Sequence, residues 1–253
     1  MNNIIEIPTQ DGVMNCYVAR PIGKGPFPTV ILYMDIWGLR EELFNIADRF
    51  TDLGYMCWIP NLYYREGDIR FDYRNSKQQV VSVDALPLEY RQKMFAYLIK
   101  LSNANVIQDT ADLLQHLSTH QDFSSVPVAA IGYCMGGRHV LCAASSFPEQ
   151  IQTMICLHGT EMISDKPDSP HLKFQALKGQ LYCGYAQLDS YTNAHLIAQM
   201  QELAEQNKNL TYSFNVHPNA NHGYALPDRD VFDPQADELD WQAIRSLLGN
   251  ISK

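Results

Sequence analysis

Short β-branched or aromatic runs alternate along this chain with longer segments of helical spacing, and no other feature restricts its fold as strongly. Thr29–Met34 is wholly apolar apart from its first residue, as expected of a central parallel strand buried on both faces. Glu41–Leu53 carries apolar residues at 43, 46, 47, 50 and 53, one stripe of a helix, and Gly54 follows as a C-cap signal. Tyr55–Ile59 reads as the next strand, closed by Pro60. The same logic gives strands at Val126–Ile131, Thr153–Leu157, Gln180–Tyr185 and Leu210–Val216. It gives helices at Val106–Leu117, Gly136–Ser146, Ala194–Gln206 and Glu238–Leu248. Ile4–Ile7 and Met14–Ala19 form a leading hairpin or edge pair through the Asp11-Gly12 turn. Alternation on this scale predicts an α/β fold, a mostly parallel central sheet with helices on both faces. Ligands in such sheets bind beyond the carboxyl ends of the strands, so the loops after Met34, Ile131, Tyr185 and Val216 are where chemistry is expected.

The 253 residues hold no internal repeat, low-complexity tract or Gly/Ser linker, and residues 1–253 read as a single domain. Only 61–103 is irregular; it is rich in Tyr, Arg, Asp and Asn, with helical character confined to Leu88–Leu101. It is an excursion from the sheet that either covers a site or is a plain surface insertion. With 19 basic against 28 acidic residues the net charge is −9, which lacks the electrostatic footprint for a nucleic-acid partner. The opening MNNIIEIPTQDG has no basic n-region and no apolar h-region, and no apolar run reaches membrane-spanning length. The expectation is a cytoplasmic chain with no membrane partner, its oligomeric state left open. The six cysteines are scattered without a CxxC pair, and five of them read as buried, reduced thiols.

The sixth is different. Gly132-Tyr133-Cys134-Met135-Gly136-Gly137 has the form G-x-C-x-G, between an apolar strand and a helix-compatible segment. It is the nucleophile-elbow pattern G-x-S-x-G with sulfur in place of oxygen. A strand that turns into a helix within a few residues forces the middle residue into a strained conformation, and glycines two residues away on each side leave room for the close approach. The thiol would then sit at a helix N-terminus, where partial positive charge favours thiolate. The Met135 N–H points into the same space as an oxyanion donor. The alternative is a tight turn around an inert cysteine.

A thiolate nucleophile needs a proton acceptor, and the acceptor needs an orienting group. With elbow nucleophiles the chain order is nucleophile, acid, histidine. Leu181–Asp189 is a strand running into a loop that ends in Asp189, and His217–Tyr224 is a polar loop after the last strand, with His222 before a glycine. His217 is the second choice for the base. His158, at its own strand end, either lines the pocket or is a satisfied sheet-edge histidine. The histidines at 116, 120, 139, 171, 195 and 217 show no metal-ligand spacing, so neither metal nor cofactor is expected. After the first central strand, Met34-Asp35-Ile36-Trp37-Gly38 can supply the second oxyanion N–H, with Ile36 the candidate donor and Trp37 beside it. Asp35 would lie near the nucleophile, where its charge opposes thiolate formation; it reads either as a regulatory or substrate-coupled acid, or as a turn cap.

Together these segments, with Ile59-Pro60-Asn61-Leu62-Tyr63, resemble the dienelactone hydrolase family over nearly the whole chain. The resemblance implies an α/β-hydrolase fold, no cofactor, and hydrolysis of a small ester or enol-lactone by Cys134 with His222 as base and Asp189 as its orienter. Founding members carry a Glu at the place of Asp35 and hold the substrate carboxylate with arginines. The candidates here are Arg138 after the elbow and Arg65, Arg70 and Arg74 in the excursion, each of which also reads as a solvated charge. Rival readings are a broader carboxylesterase or thioesterase on the same scaffold, and a non-catalytic hydrolase-fold protein that binds a ligand or senses oxidation.

Overall fold

The computed structural model describes residues 3–124 and 127–249. Eight strands form one sheet in the order β1-β2-β4-β3-β5-β6-β7-β8. In chain order they are β1 (Ile4–Thr9), β2 (Gly12–Ala19), β3 (Thr29–Tyr33), β4 (Met56–Pro60), β5 (Val128–Tyr133), β6 (Ile151–Leu157), β7 (Gly179–Ala186) and β8 (Leu210–His217). β2 is antiparallel to both β1 and β4, and every pairing from β4 through β8 is parallel. The helices are α1 (Glu41–Asp52), α2 (Leu88–Lys100), α3 (Asn103–Thr119), α4 (Met135–Ser146), α5 (Ala194–Gln206) and α6 (Pro234–Leu248). Among the described residues, no helix is long and apolar enough to cross a membrane.

Sequence patterning explains the layers. Every residue of β3, β4 and β5 is buried, because helices cover both faces of the parallel centre. β8 alternates buried-side and exposed residues along most of its length, as a half-covered edge strand does. The chain leaves β3 for β4 on one side and returns to β5 on the other side of β3. Right-handed crossovers running in opposite directions place α1 and α4 on opposite faces. The order reversal also opens a crevice between the carboxyl ends of β3 and β5. α1 buries Leu43, Ile46, Ala47 and Phe50, and Leu43, Ile46 and Phe50, fully buried, contribute about 1.5–3 kcal/mol each. Phe50 meets Trp241 of α6 with ring centroids 5.0 Å apart, and the Arg49 guanidinium lies 3.7 Å over the same indole.

Several boundaries differ from the sequence reading by a few residues, three of them for a clear local reason. The strand read as Val126–Ile131 runs through Tyr133, because Tyr133 still pairs with Leu157 and the chain turns only at Cys134; Val126 itself lies outside the described residues. α3 begins at Asn103, earlier than Val106, where Ser102 accepts the Asn105 N–H at 3.1 Å. α6 begins at Pro234, earlier than Glu238, because Asp233 caps Gln235 and Ala236 and proline suits the first helical turn.

One buried carboxylate ties α6 to the last two strands. Asp240 is fully buried and accepts from Tyr182 Oη at 2.6 Å and Tyr224 Oη at 2.5 Å, while His217 Nε2 lies 2.7 Å from it. His217 and Tyr224 bracket the loop that carries His222, so Asp240 holds that loop from both ends. Gly184 makes room for the cluster, since a Cβ there would lie 2.4 Å from the Tyr224 hydroxyl. Asp240→Ala leaves these buried polar groups without their acceptor and is expected to cost about 3–5 kcal/mol in urea unfolding. A loss below about 1 kcal/mol would show that the cluster is not what holds the loop.

Candidate active site

The crevice at the β3/β5 order reversal is floored by the turn from β5 into α4. Cys134 sits in that turn with φ 56° and ψ −119°, a region that side chains with a Cβ rarely occupy. Its neighbours hold it there: the Cys134 N–H donates to Leu157 O at 3.1 Å, and its carbonyl accepts from Gly137 N and Thr160 N, both at 3.0 Å. The flanking glycines are obligatory on steric grounds. A Cβ on Gly132 would fall 2.1 Å from Gly136 O, and one on Gly136 would fall 2.4 Å from Tyr33 O. Of the six cysteines, Cys134 is the partly exposed one; the other five are buried.

The loops after β7 and β8 bring the acid and the base to this turn. Leu188 N donates to Ala220 O at 2.9 Å and Gln187 N to His217 O at 3.1 Å, which stitches the two loops together. Asp189 Oδ2 then lies 2.8 Å from His222 Nδ1, and Asp189 Oδ1 accepts the Tyr191 N–H at 2.8 Å. Cys134 and His222 line the same cavity, so sulfur, imidazole and carboxylate meet at one place in the crevice. Burial alone would push the imidazolium down; the Cys134 charge and the bonds to Asp189 and Cys134 outweigh it and raise His222 to about 10. Tyr191 and His158 pack edge-on against the His222 ring, each with centroids 4.8 Å away, and fix its plane.

A cavity of about 150 Å³ opens above the sulfur. Its wall includes Cys134, His222, Ile36, Met135 and Arg138, together with Val83, Phe95 and Leu98 from the irregular excursion. A larger cleft of about 300 Å³ lies near the start of β5, lined by α3 and the turn before β6, and holds none of these groups. It lies at the opposite end of β5 from Cys134.

The remaining candidates are placed as follows. His217 is turned away into the Asp240 cluster, which removes it as a base. Asp35 is fully buried; its carboxylate receives both Arg40 Nη atoms, at 2.5 and 3.0 Å, and the Trp37 N–H at 3.1 Å. Arg40 in turn grips Asp228 through Nε at 2.8 Å. This is the geometry of the turn-cap alternative, with both oxygens occupied and none free to reach for a thiol proton. Trp37 and His158 are fully buried behind the wall, not part of it. All four candidate arginines already have carboxylate partners: Arg65 with Asp11 and Asp109, Arg70 with Asp68, Arg74 with Asp72, and Arg138 with Glu161.

Sequence reasoning missed Tyr191, Glu161 and Arg229. Arg229 is buried, with Nε lacking a partner, and its guanidinium lies 5.3 Å from the Trp37 ring centroid. Burial lowers its pKa, against the pull of Asp35. Tyr191 could have been suspected from its place two residues after Asp189, where a backbone N–H commonly caps a carboxylate. Nothing local marks Glu161 or Arg229.

Comparison with known proteins identifies the family and the fold. Residues 14–252 match the Dienelactone hydrolase family. A Methylorubrum extorquens protein named "Putative carboxymethylenebutenolidase" is 25% identical over 95% of this chain and 78% of its own length. A Saccharolobus solfataricus protein of the same name is 24% identical over 95% of each. A solved Klebsiella pneumoniae chain named "Putative Dienelactone Hydrolase" superposes with a TM-score of 0.82 at 22% identity, covering 97% of both chains. The chain therefore belongs to the dienelactone hydrolase family, and its mostly parallel sheet is an α/β-hydrolase fold.

Proposed function

We propose that this protein hydrolyses a carboxylic ester or enol-lactone through a thioester acyl-enzyme, with Cys134 as nucleophile, His222 as acid and base, and Asp189 as the group that orients His222. The observation that carries this reading is the hydrogen-bonded Asp189–His222 pair in one cavity with Cys134 at the carboxyl ends of the strands. The sulfur attacks the carbonyl carbon, and the Met135 and Ile36 amides, both in the cavity wall, are assigned to the developing oxyanion. His222 gives its proton to the departing oxygen, then takes one from the water that cleaves the thioester. Sulfur is itself a good leaving group, so the intermediate goes forward most readily when the departing oxygen leaves easily, as an enolate does. The names of the family and of the relatives support the same class of substrate.

Dienelactone turnover, followed by loss of ultraviolet absorbance, is expected to fall by at least about 10³-fold in Cys134→Ala. Retention of wild-type turnover would remove Cys134 as nucleophile. Iodoacetamide should alkylate Cys134 selectively, because the other thiols are buried, and turnover should fall in step with that alkylation. A chain that never turns over any ester, yet labels at Cys134, would favour the ligand-binding or redox-sensing reading instead.

A second expectation follows from the raised His222. A raised folded pKa stabilises the native state in full below the unfolded value, and that stabilisation is lost as pH rises through about 10. By NMR titration, His222 should remain protonated at about pH 8 in the wild type. Its midpoint should drop in Cys134→Ala, because the sulfur is the largest of the raising causes. An unchanged midpoint in that variant would mean that sulfur and imidazole do not interact.

A further inference from the structure

The cavity at Cys134 is too small to be the whole substrate site. Its volume of about 150 Å³ falls below the roughly 300–1,000 Å³ usual for small-molecule sites. A second chamber of about 460 Å³ adjoins it, and the two share Phe95, Leu98, Arg138 and Glu161 as common wall. His222 and Cys134 line only the inner chamber. The leaving oxygen has to sit at His222 to receive its proton, so the substrate arm that extends away from His222 is the acyl arm.

The outer chamber's composition says what that arm looks like. Its near side is apolar, formed by Phe95, Leu98 and Ile99 of α2. Its far side is polar, at the start of α3. There Ser102, Lys166 and Asp168 line the wall, and buried Asn103 donates its amide to Asp168 O at 3.0 Å. The four charges on the wall cancel: Arg138 and Lys166 are cationic, Glu161 and Asp168 anionic, and Glu161 binds both cations. A polar wall with no net charge suits a hydroxyl or amide better than a carboxylate.

We propose that the outer chamber is an acyl-arm subsite, and that the preferred substrate is an ester whose acyl chain is apolar beside the carbonyl and ends in an uncharged polar group, its length read at Leu98. The proposal rests on the hydrolase reading above.

The test uses the full chain and para-nitrophenyl esters of one leaving group, with acetyl, hexanoyl, ω-hydroxyhexanoyl and ω-carboxypentanoyl arms. Hexanoyl is expected to exceed acetyl by about tenfold in kcat/KM, since methylenes buried in an apolar pocket discriminate on this scale. The ω-hydroxy arm should match or exceed hexanoyl, and the ω-carboxy arm should fall several-fold below it. Leu98→Trp, which fills the passage between the chambers, should reduce the hexanoyl-to-acetyl ratio by about tenfold. Because each variant is judged by its own ratio, partial loss of folded protein does not alter the result. Hydrolysis of acetyl ester with rates that decline as the arm lengthens, a carboxylate arm that outperforms the hydroxyl arm, or a Leu98→Trp ratio equal to wild type would each overturn the subsite while leaving the hydrolase reading intact. Absence of turnover with every ester, acetyl included, would overturn the hydrolase reading and the subsite with it.

Discussion

The backbone at Cys134 is held in a conformation that costs about 1–3 kcal/mol for a residue with a side chain, and the surrounding fold is organised to hold it. β5 must stay paired with β3 to Gly132 and with β6 to its last residue, Tyr133, so that the turn has no slack. Gly132 and Gly136 let the strand, the helix and β3 approach to distances that no side chain permits. Hydrogen bonds from the Cys134 backbone to Leu157, Gly137 and Thr160 then distribute the strain over three elements. The sulfur is consequently presented at one place, at the order reversal of the sheet, and the loops after β7 and β8 have only to meet it there.

The elements that do this by local chemistry were legible in the sequence. The apolar runs of the central strands, the stripe of α1 and the glycine spacing of the elbow each follow from a period or a steric rule that acts within a few residues. His222 and Asp189 could be chosen because strand ends and chain order restrict where partners can come from. What was not legible is what depends on pairing across the chain. Asp35 could be named as interesting, but nothing in its neighbourhood says that Arg40 would take both its oxygens while also holding Asp228, 188 residues from Arg40. Arg138 looked like a free cation; its partner Glu161 stands 23 residues on, in a loop with no pattern. His217 stood as second choice to His222 because both lie in one polar loop, and Asp240 on α6 turns His217 away.

Charge pairing also sets this chain apart from the arrangement that the family resemblance suggested. An arginine that recognises a substrate carboxylate has to keep its fork free until the ligand arrives. Arg65, Arg70, Arg74 and Arg138 each hold a carboxylate already, and Arg229 is buried behind Trp37. To release Arg138, Glu161 would have to rely on Lys166 alone, which is more than half exposed and so screened by solvent. The walls near Cys134 are accordingly apolar, with polarity confined to neutralised pairs and to backbone amides.

That arrangement bears on which histidine can work. His158 and His222 stand with ring centroids 4.8 Å apart, too close for both to carry charge at little cost in a buried site. Burial pushes His158 well down, and the charges of His222 and Arg229 push it further, so it stays neutral. His222 suffers the same burial, but the Cys134 sulfur and the Asp189 carboxylate on its Nδ1 raise it. The neutral ring serves as packing: with Tyr191 on another side it holds the imidazole edge-on. In the proposed mechanism, a second protonatable ring kept neutral beside His222 thus confines the acid–base chemistry to a single group.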